Sequence, residues 1–214
     1  GMSARLPQAD TLEEFWAVMA EGRSVISRFD PSELADDASP EQRADPNYVP
    51  ARSVLNDVDK FDAKFFGMMP LEAAQTDPQG RVFLEVCQHA LDDAGLDPAR
   101  FSGSVGVFAG GSMSTYFLEN LMGTRADLRD FTSQFQIGNY TMLTGNDADS
   151  IATRVAYKLG LNGPAIAINT ACSTSLVAIS QAVACLRAGQ SDAVLAGGVS
   201  ITFPQERGYM HQEG

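Results

Sequence analysis

Residues 163–201 read "GPAIAINTACSTSLVAISQAVACLRAGQSDAVLAGGVSI", and their pattern decides the fold class. Ala165 to Asn169 is a short apolar run of the kind a buried strand makes, and Ala193 to Ile201 is a second. Between them Leu176, Ile179, Val183 and Leu186 recur at helical spacing, and Gly189 supplies a stop. Strand, helix, strand with both strands apolar throughout predicts a parallel arrangement covered on both sides, hence an α/β fold.

Inside this stretch, Cys172 falls where the first strand gives way to the helix, at or just before the first helical turn. Unpaired backbone N–H groups and the positive end of the helix dipole favour a thiolate there and can hold a developing oxyanion. Ala171, Ser173 and Thr174 keep the corner narrow enough for an acyl group to approach the sulfur. Small residues are also common at such corners for packing alone. Position by itself leaves both readings of Cys172 open, since thiolate character depends on exposure and partners.

Working outward, "DTLEEFWAVMAEG" (residues 10–22) predicts a helix with Thr11 and Glu14 at capping-box spacing, Leu12, Phe15, Trp16 and Met19 on one face, and Gly22 at its end. From Ser27 to about Val58 the prolines Pro31, Pro40, Pro46 and Pro50 leave no room for a long regular element, so an irregular surface excursion is expected. "DPQGRVFLEVCQHALDDAGLDP" (residues 77–98) is a clear helix, with Asp77 before Pro78 at the first turn and Gly95 closing it. Its apolar stripe includes Phe83, Val86, Cys87 and Leu91, so Cys87 is expected in the core and His89 in solvent. "SVGVFAGGS" (residues 104–112) reads as a buried strand running into a close backbone approach at Gly110 and Gly111. The aromatics Tyr116, Phe117, Phe131, Phe135 and Tyr140 follow without sustained periodicity, and either cover the core or line an interface. "DADSIATRVAYKLGL" (residues 147–161) adds a helix with Ile151, Val155 and Leu159 at steps of four.

The totals narrow the function. The 214 residues are 44% hydrophobic and 20% charged, which suits one ordinary globular domain. A net charge of −12 argues against nucleic acid, whose phosphates require Lys and Arg. No apolar run reaches the roughly 18 residues of a membrane helix and the opening residues carry no signal-peptide core, so a cytoplasmic location is expected. Cys87, Cys172 and Cys185 lack disulfide-framework or metal-knuckle spacing, so free thiols are expected and no metal site. Cys185, mid-helix, is expected in the core. The Gly-Gly strand ends match no nucleotide-binding pattern, which argues against a bound nucleotide.

"TACSTSLVAI" resembles the active-cysteine motif of β-ketoacyl synthases, and its form is similar to ketosynthases of modular type I polyketide and mixed peptide–polyketide synthases. "GMSARLPQADTLEEFW", "DKFDAKFFGMMPLEAAQTDPQGRVFLEVCQHALDDAG", "GVFAGGS", "DAVLAGGVSI" and "GYMHQEG" resemble that family's blocks in the same order, across essentially the whole chain. The resemblance implies a thiolase-like, layered α-β-α fold, and a partial domain over 1–214: the N-terminal half, lacking the first strand and the C-terminal half. It implies that Cys172 is the nucleophile that accepts an acyl chain from acyl carrier protein, with its backbone N–H as one oxyanion-hole donor. Decarboxylative condensation with a carrier-bound malonyl-type unit would follow, using two histidines from the absent half; His89 and His211 match neither of their motifs. By this likeness phosphopantetheine enters on the carrier protein rather than as a bound cofactor, adjoining synthase domains are partners, and a homodimer forms through the strand leading to the cysteine, with aromatics of residues 112–140 as candidate contacts. Alone, the half is expected not to condense and to expose apolar helix faces. Asn169 departs from the acidic residue often found there. The alternatives are a non-elongating transfer or gating domain and a catalytically silent scaffold, whose mark would be a buried, unreactive Cys172; a cysteine hydrolase would need a nearby imidazole that the sequence does not supply.

Overall fold

The structure, a computed structural model, describes residues 1–35, 38–134, 138 and 140–212. Its elements in chain order are α1 (Leu12–Glu21), β1 (Ser27–Arg28), α2 (Pro40–Ala44), β2 (Tyr48–Val49), β3 (Ala51–Arg52), α3 (Pro70–Gln75), α4 (Pro78–Asp93), β4 (Val105–Gly111), α5 (Arg125–Gln134), α6 (Tyr140–Asn146), α7 (Ile151–Lys158), β5 (Ala165–Ala167), α8 (Thr174–Arg187), β6 (Ala193–Val199) and β7 (Tyr209–Met210). They fall into two compact units, one of residues 1–3 and 58–200, the other of residues 4–57 and 201–214. Among the described residues, no helix is long and apolar enough to cross a membrane.

The first unit is built on a parallel sheet of order β5-β4-β6. The predicted α/β class is therefore met. The central strand β4 alternates between two cores. Val107 and Ala109 point to a cluster with Phe83, Leu84 and Cys87 of α4 and Ile151, Ala152 and Val155 of α7. Phe108 points the other way, to Ala178, Ala182 and Cys185 of α8. Helices on both faces of one sheet give the α-β-α layering, and β4 is buried from Val105 to Gly110 because it has a neighbour on every side.

Cover on both sides does not extend to the outer strands. Ile166 of β5 is 47% exposed, and β6 is only partly buried. The predicted face of α8 also points outward: Leu176, Ile179, Val183 and Leu186 are all exposed, and the helix instead lays its small stripe on the sheet. The reason is geometric. Ala178, Ala182 and Cys185 allow the helix axis close to the sheet where Phe108 projects, and a helix apolar on nearly every side carries two stripes that periodicity cannot rank. The exposed apolar face expected of this half is thus present on α8.

The helix α4 begins as its sequence predicts. Asp77 caps α4 by accepting from the Gln79 N–H at 2.7 Å, with Pro78 in the first turn. Cys87 is buried and His89 exposed, as expected. The helix of residues 147–161 starts as one 3₁₀ turn, Ala148–Ser150, and continues as α7. Of the aromatics after β4, Tyr116 is buried and donates to the Ala74 carbonyl at 2.6 Å, while Phe117 and Phe131 meet edge to face at 5.0 Å. These three are engaged within the unit, which leaves Tyr140 exposed; Phe135 lies outside the described residues.

The second unit holds α1 and three short pieces of sheet or helix. Thr11 and Glu14 make the reciprocal capping box, and Gly22 ends α1 in the left-handed conformation at φ 64°. Its predicted apolar face is open: Trp16 and Met19 are exposed, and Val18 is the residue buried. Among the described residues between Ser27 and Val58 no element exceeds five residues, in keeping with the four prolines. β1 pairs with β3 and β2 with β7, both antiparallel.

Candidate functional site

Cys172 stands at the end of the run that leads out of β5. β5 itself stops at Ala167, but the Ile168 N–H still donates to the Ala109 carbonyl at 2.9 Å, so the chain stays against β4 up to the corner. Ala171 then adopts a left-handed backbone at φ 53°, which a residue with a Cβ rarely does. That reversal turns the chain sharply from the sheet into the 3₁₀ turn Ala171–Ser173 and on into α8. Alanine has the smallest side chain that still carries this cost, and strain held at such a corner marks a place worth testing for chemistry.

Hydrogen bonds hold the corner from within. The Thr170 N–H donates to Thr174 Oγ1 at 2.9 Å, and Ser173 Oγ donates to the Thr170 carbonyl at 2.8 Å and lies 2.9 Å from Thr170 Oγ1. The hydroxyls of Ser173 and Thr174 are thus structural fasteners. Cys172 lies between them with its side chain exposed, while Cys87 and Cys185 are buried. Burial in apolar surroundings pushes the Cys87 thiol up to about 12, which keeps it protonated and inert. The Cys172 N–H precedes the first turn's hydrogen-bonded donors, Ser173 to the Thr170 carbonyl and Thr174 to the Ala171 carbonyl, as a free donor at a helix start does.

Cys172 opens on a cleft of about 540 Å³ whose other walls are the Gly110–Ser112 end of β4 and the Gly198–Ser200 end of β6. The C-terminal ends of the parallel strands therefore meet at the cysteine, where ligands of open α/β sheets bind. Gly110 makes this convergence possible: a Cβ there would overlap the Ile168 carbonyl oxygen and come within 2.7 Å of Thr174 Cγ2. The close backbone approach read from "FAGGS" is real. Asn169 ties the two sides together, its amide nitrogen donating to the Gly111 carbonyl at 3.0 Å. An acidic residue at this position would lack that donor.

A larger cleft of about 930 Å³ lies among α3, α6 and α7. Its cations are already engaged, with Glu72 at 3.6 Å from Arg154 and 3.1 Å from Lys158, and no cysteine lines it. The smaller cleft is the one lined by an exposed thiol. Neither His89 nor His211 lines it. Sequence reasoning located Cys172 but missed Ser112 and the hydrogen-bonding parts played by Asn169 and Thr174, because hydrogen bonds across strand ends leave no trace in periodicity.

An α/β layered fold with an exposed cysteine at a strained strand-to-helix corner defines a thiol-bearing site at the C-terminal edge of a parallel sheet. The chain matches the family model for the β-ketoacyl synthase N-terminal domain over residues 1–213. It is 41% identical, over its whole length, to a phenolphthiocerol/phthiocerol polyketide synthase of Mycobacterium tuberculosis, of which it spans 14%. It is 39% identical over 94% of its length to the pikromycin polyketide synthase component PikAII of Streptomyces venezuelae, spanning 5% of that protein. Among solved structures, ketosynthase twelve of the bacillaene polyketide synthase of Bacillus amyloliquefaciens superposes with a TM-score of 0.83 at 31% identity, over 100% of this chain and 36% of that one. The oxazolomycin ketosynthase domain OzmH KS7 of Streptomyces albus does so with a TM-score of 0.76 at 33% identity, over 94% and 34%. The chain belongs to the β-ketoacyl synthase family and has the thiolase-like fold of its ketosynthase domains. It spans about a third of those ketosynthase chains.

Proposed function

We propose that this chain supplies the acyl-accepting half of a polyketide β-ketoacyl synthase, with Cys172 as the nucleophile. The Cys172 thiolate attacks the thioester carbonyl of an acyl chain on the phosphopantetheine arm of an acyl carrier protein. A new thioester forms at Cys172 and the pantetheine thiol leaves, taking the proton that the cysteine gave up. The tetrahedral oxyanion of this step is within the chemistry of the free Cys172 N–H at the helix start. The observation that carries this reading is that Cys172 alone of the three cysteines is exposed, at a strained corner on a cleft.

In the second step, decarboxylation of a carrier-bound malonyl-type unit releases carbon dioxide and an enolate. The enolate carbon attacks the Cys172 thioester, and the β-ketoacyl product leaves on the carrier while the cysteine regains its proton. Imidazoles suited to that step do not line the cleft, so in this reading condensation draws on histidines outside the chain, within a domain of which residues 1–214 are a part. The outer edge of β5, with Ile166 exposed, is the natural place for strand pairing with a second copy. Exposure of Cys172 disfavours the silent-scaffold alternative.

The test is acyl loading. The intact protein is incubated with an acyl-pantetheine thioester, and peptide mass spectrometry reads each cysteine. Acylation at Cys172, abolished in Cys172→Ala, supports the proposal; acylation at no site, or equal labelling of all three cysteines after unfolding only, refutes it.

A further inference from the structure

Next to the Cys172 cleft lies a buried polar group that the acyl-transfer chemistry does not use. Gln79, in the first turn of α4, is 2% exposed. Its Oε1 accepts the Ser112 N–H at 3.2 Å and the Ser112 Oγ–H at 2.7 Å. Its Nε2 donates to the Ser112 carbonyl at 3.3 Å and to Asp77 Oδ2 at 3.2 Å. Both ends of one amide are thus spent chiefly on a single residue, and that residue is part of the cleft wall. Asp77 is itself anchored, its N–H donating to the Gly145 carbonyl at 3.0 Å and its Oδ1 accepting from the Gln79 backbone.

The partners require an amide. Oε1 faces two donors and Nε2 faces two acceptors, so a carboxylate would set negative charge against Asp77 and the Ser112 carbonyl, and a hydrocarbon would leave buried groups unpaired. On its other side the same end of β4 is held by Asn169, through the Gly111 carbonyl, and Asn169 is three residues from Cys172. The Gly110–Ser112 end of β4 is therefore clamped between α4 and the cysteine's own corner. Ser112 also gives its hydroxyl proton to Gln79, so it offers the cleft an acceptor.

We propose that Gln79 is a positioning residue for the Cys172 cleft, holding the Gly110–Ser112 wall in register with the corner through Ser112. The inference rests on the acyl-transfer reading for its catalytic consequence, but its geometric content stands apart from it. Two readouts separate them in the intact protein. The first is acyl loading of Cys172 from an acyl-pantetheine thioester. The second is the ratio of Cys172 alkylation rates with N-octylmaleimide and iodoacetamide, which senses the cleft wall whether or not acyl transfer occurs.

In Gln79→Met, loading is expected to fall about tenfold, within the loss of on the order of 100-fold that a 1 Å displacement can cause. The alkylation ratio is expected to change about fivefold, with the iodoacetamide rate itself within about twofold of the parent. Ser112→Ala, at a half-buried position, gives a smaller change of the same sign, and it carries the test should Gln79→Met not fold. Because Gln79 acts through Ser112, the double variant should match Gln79→Met alone. An unchanged ratio in both single variants, equal changes with both reagents, or effects that multiply in the double variant would each overturn the proposal. A parent protein that never loads acyl groups sinks the acyl-transfer reading instead, and the alkylation ratio still decides the role of Gln79.

Discussion

Adding one methyl group at Gly110 should damage the cysteine corner from the opposite strand. A Cβ at this position overlaps the Ile168 carbonyl oxygen and reaches 2.7 Å from Thr174 Cγ2 and 2.9 Å from the Asn169 side-chain amide. The obstacle is mainly backbone, so no flexible side chain can swing aside. Relief requires Ile168–Thr170 to move off β4, which strains the 2.9 Å bond from the Ile168 N–H to Ala109 and the Asn169 link to Gly111. Overpacking of this kind costs about 1–3 kcal/mol. With a urea slope of about 2 kcal/mol/M, a loss of about 2 kcal/mol lowers the unfolding midpoint by about 1 M. A shift of about 1 Å in the Cys172 corner would reduce acyl loading by on the order of 100-fold. Gly197→Ala is the matched control, since its added Cβ meets only Phe83 ring carbons at 3.4 and 3.7 Å; a change within about 0.5 kcal/mol is expected there. Urea melts and single-turnover loading, measured on both variants, check the argument. Gly110→Ala with the stability and loading rate of Gly197→Ala would refute it.

Three further outcomes follow from burial. Cysteine-resolved alkylation with iodoacetamide should modify Cys172 in the folded protein and Cys87 and Cys185 only on unfolding; early labelling of Cys87 would contradict its burial. From the ordinary value of 9.0 up to about 12, native Cys87 keeps a proton that the unfolded chain has released, so its contribution to stability, full below pH 9, is lost as pH rises through that window; Cys87→Ala should flatten this slope in urea melts taken across the range. Leu84→Ala, at 1% exposure in the cluster between α4, β4 and α7, should cost about 2–5 kcal/mol in the same melts.

Much of the architecture was legible along the chain because local chemistry dictates it. The Thr11–Glu14 box, the Asp77-Pro78 start and the Gly22 stop are short-range devices, and each does in the fold what its residues predict. The strand, helix, strand order around Cys172 was likewise readable, since two parallel strands joined by one helix need only apolar runs at the right spacing, although β4 lies between them in the sheet. The sequence alone thus determined the class, the corner and the cysteine. Only the tertiary structure decided which side of α8 and α1 faces inward, for a helix apolar on several sides has no preferred face until the shape of its neighbour selects one. The setting of the cysteine was decided there too. Gln79, Ser112 and Asn169 are 33 and 57 residues apart in turn, and a hydrogen bond between groups so distant exists only once β4 and β5 have brought their ends together.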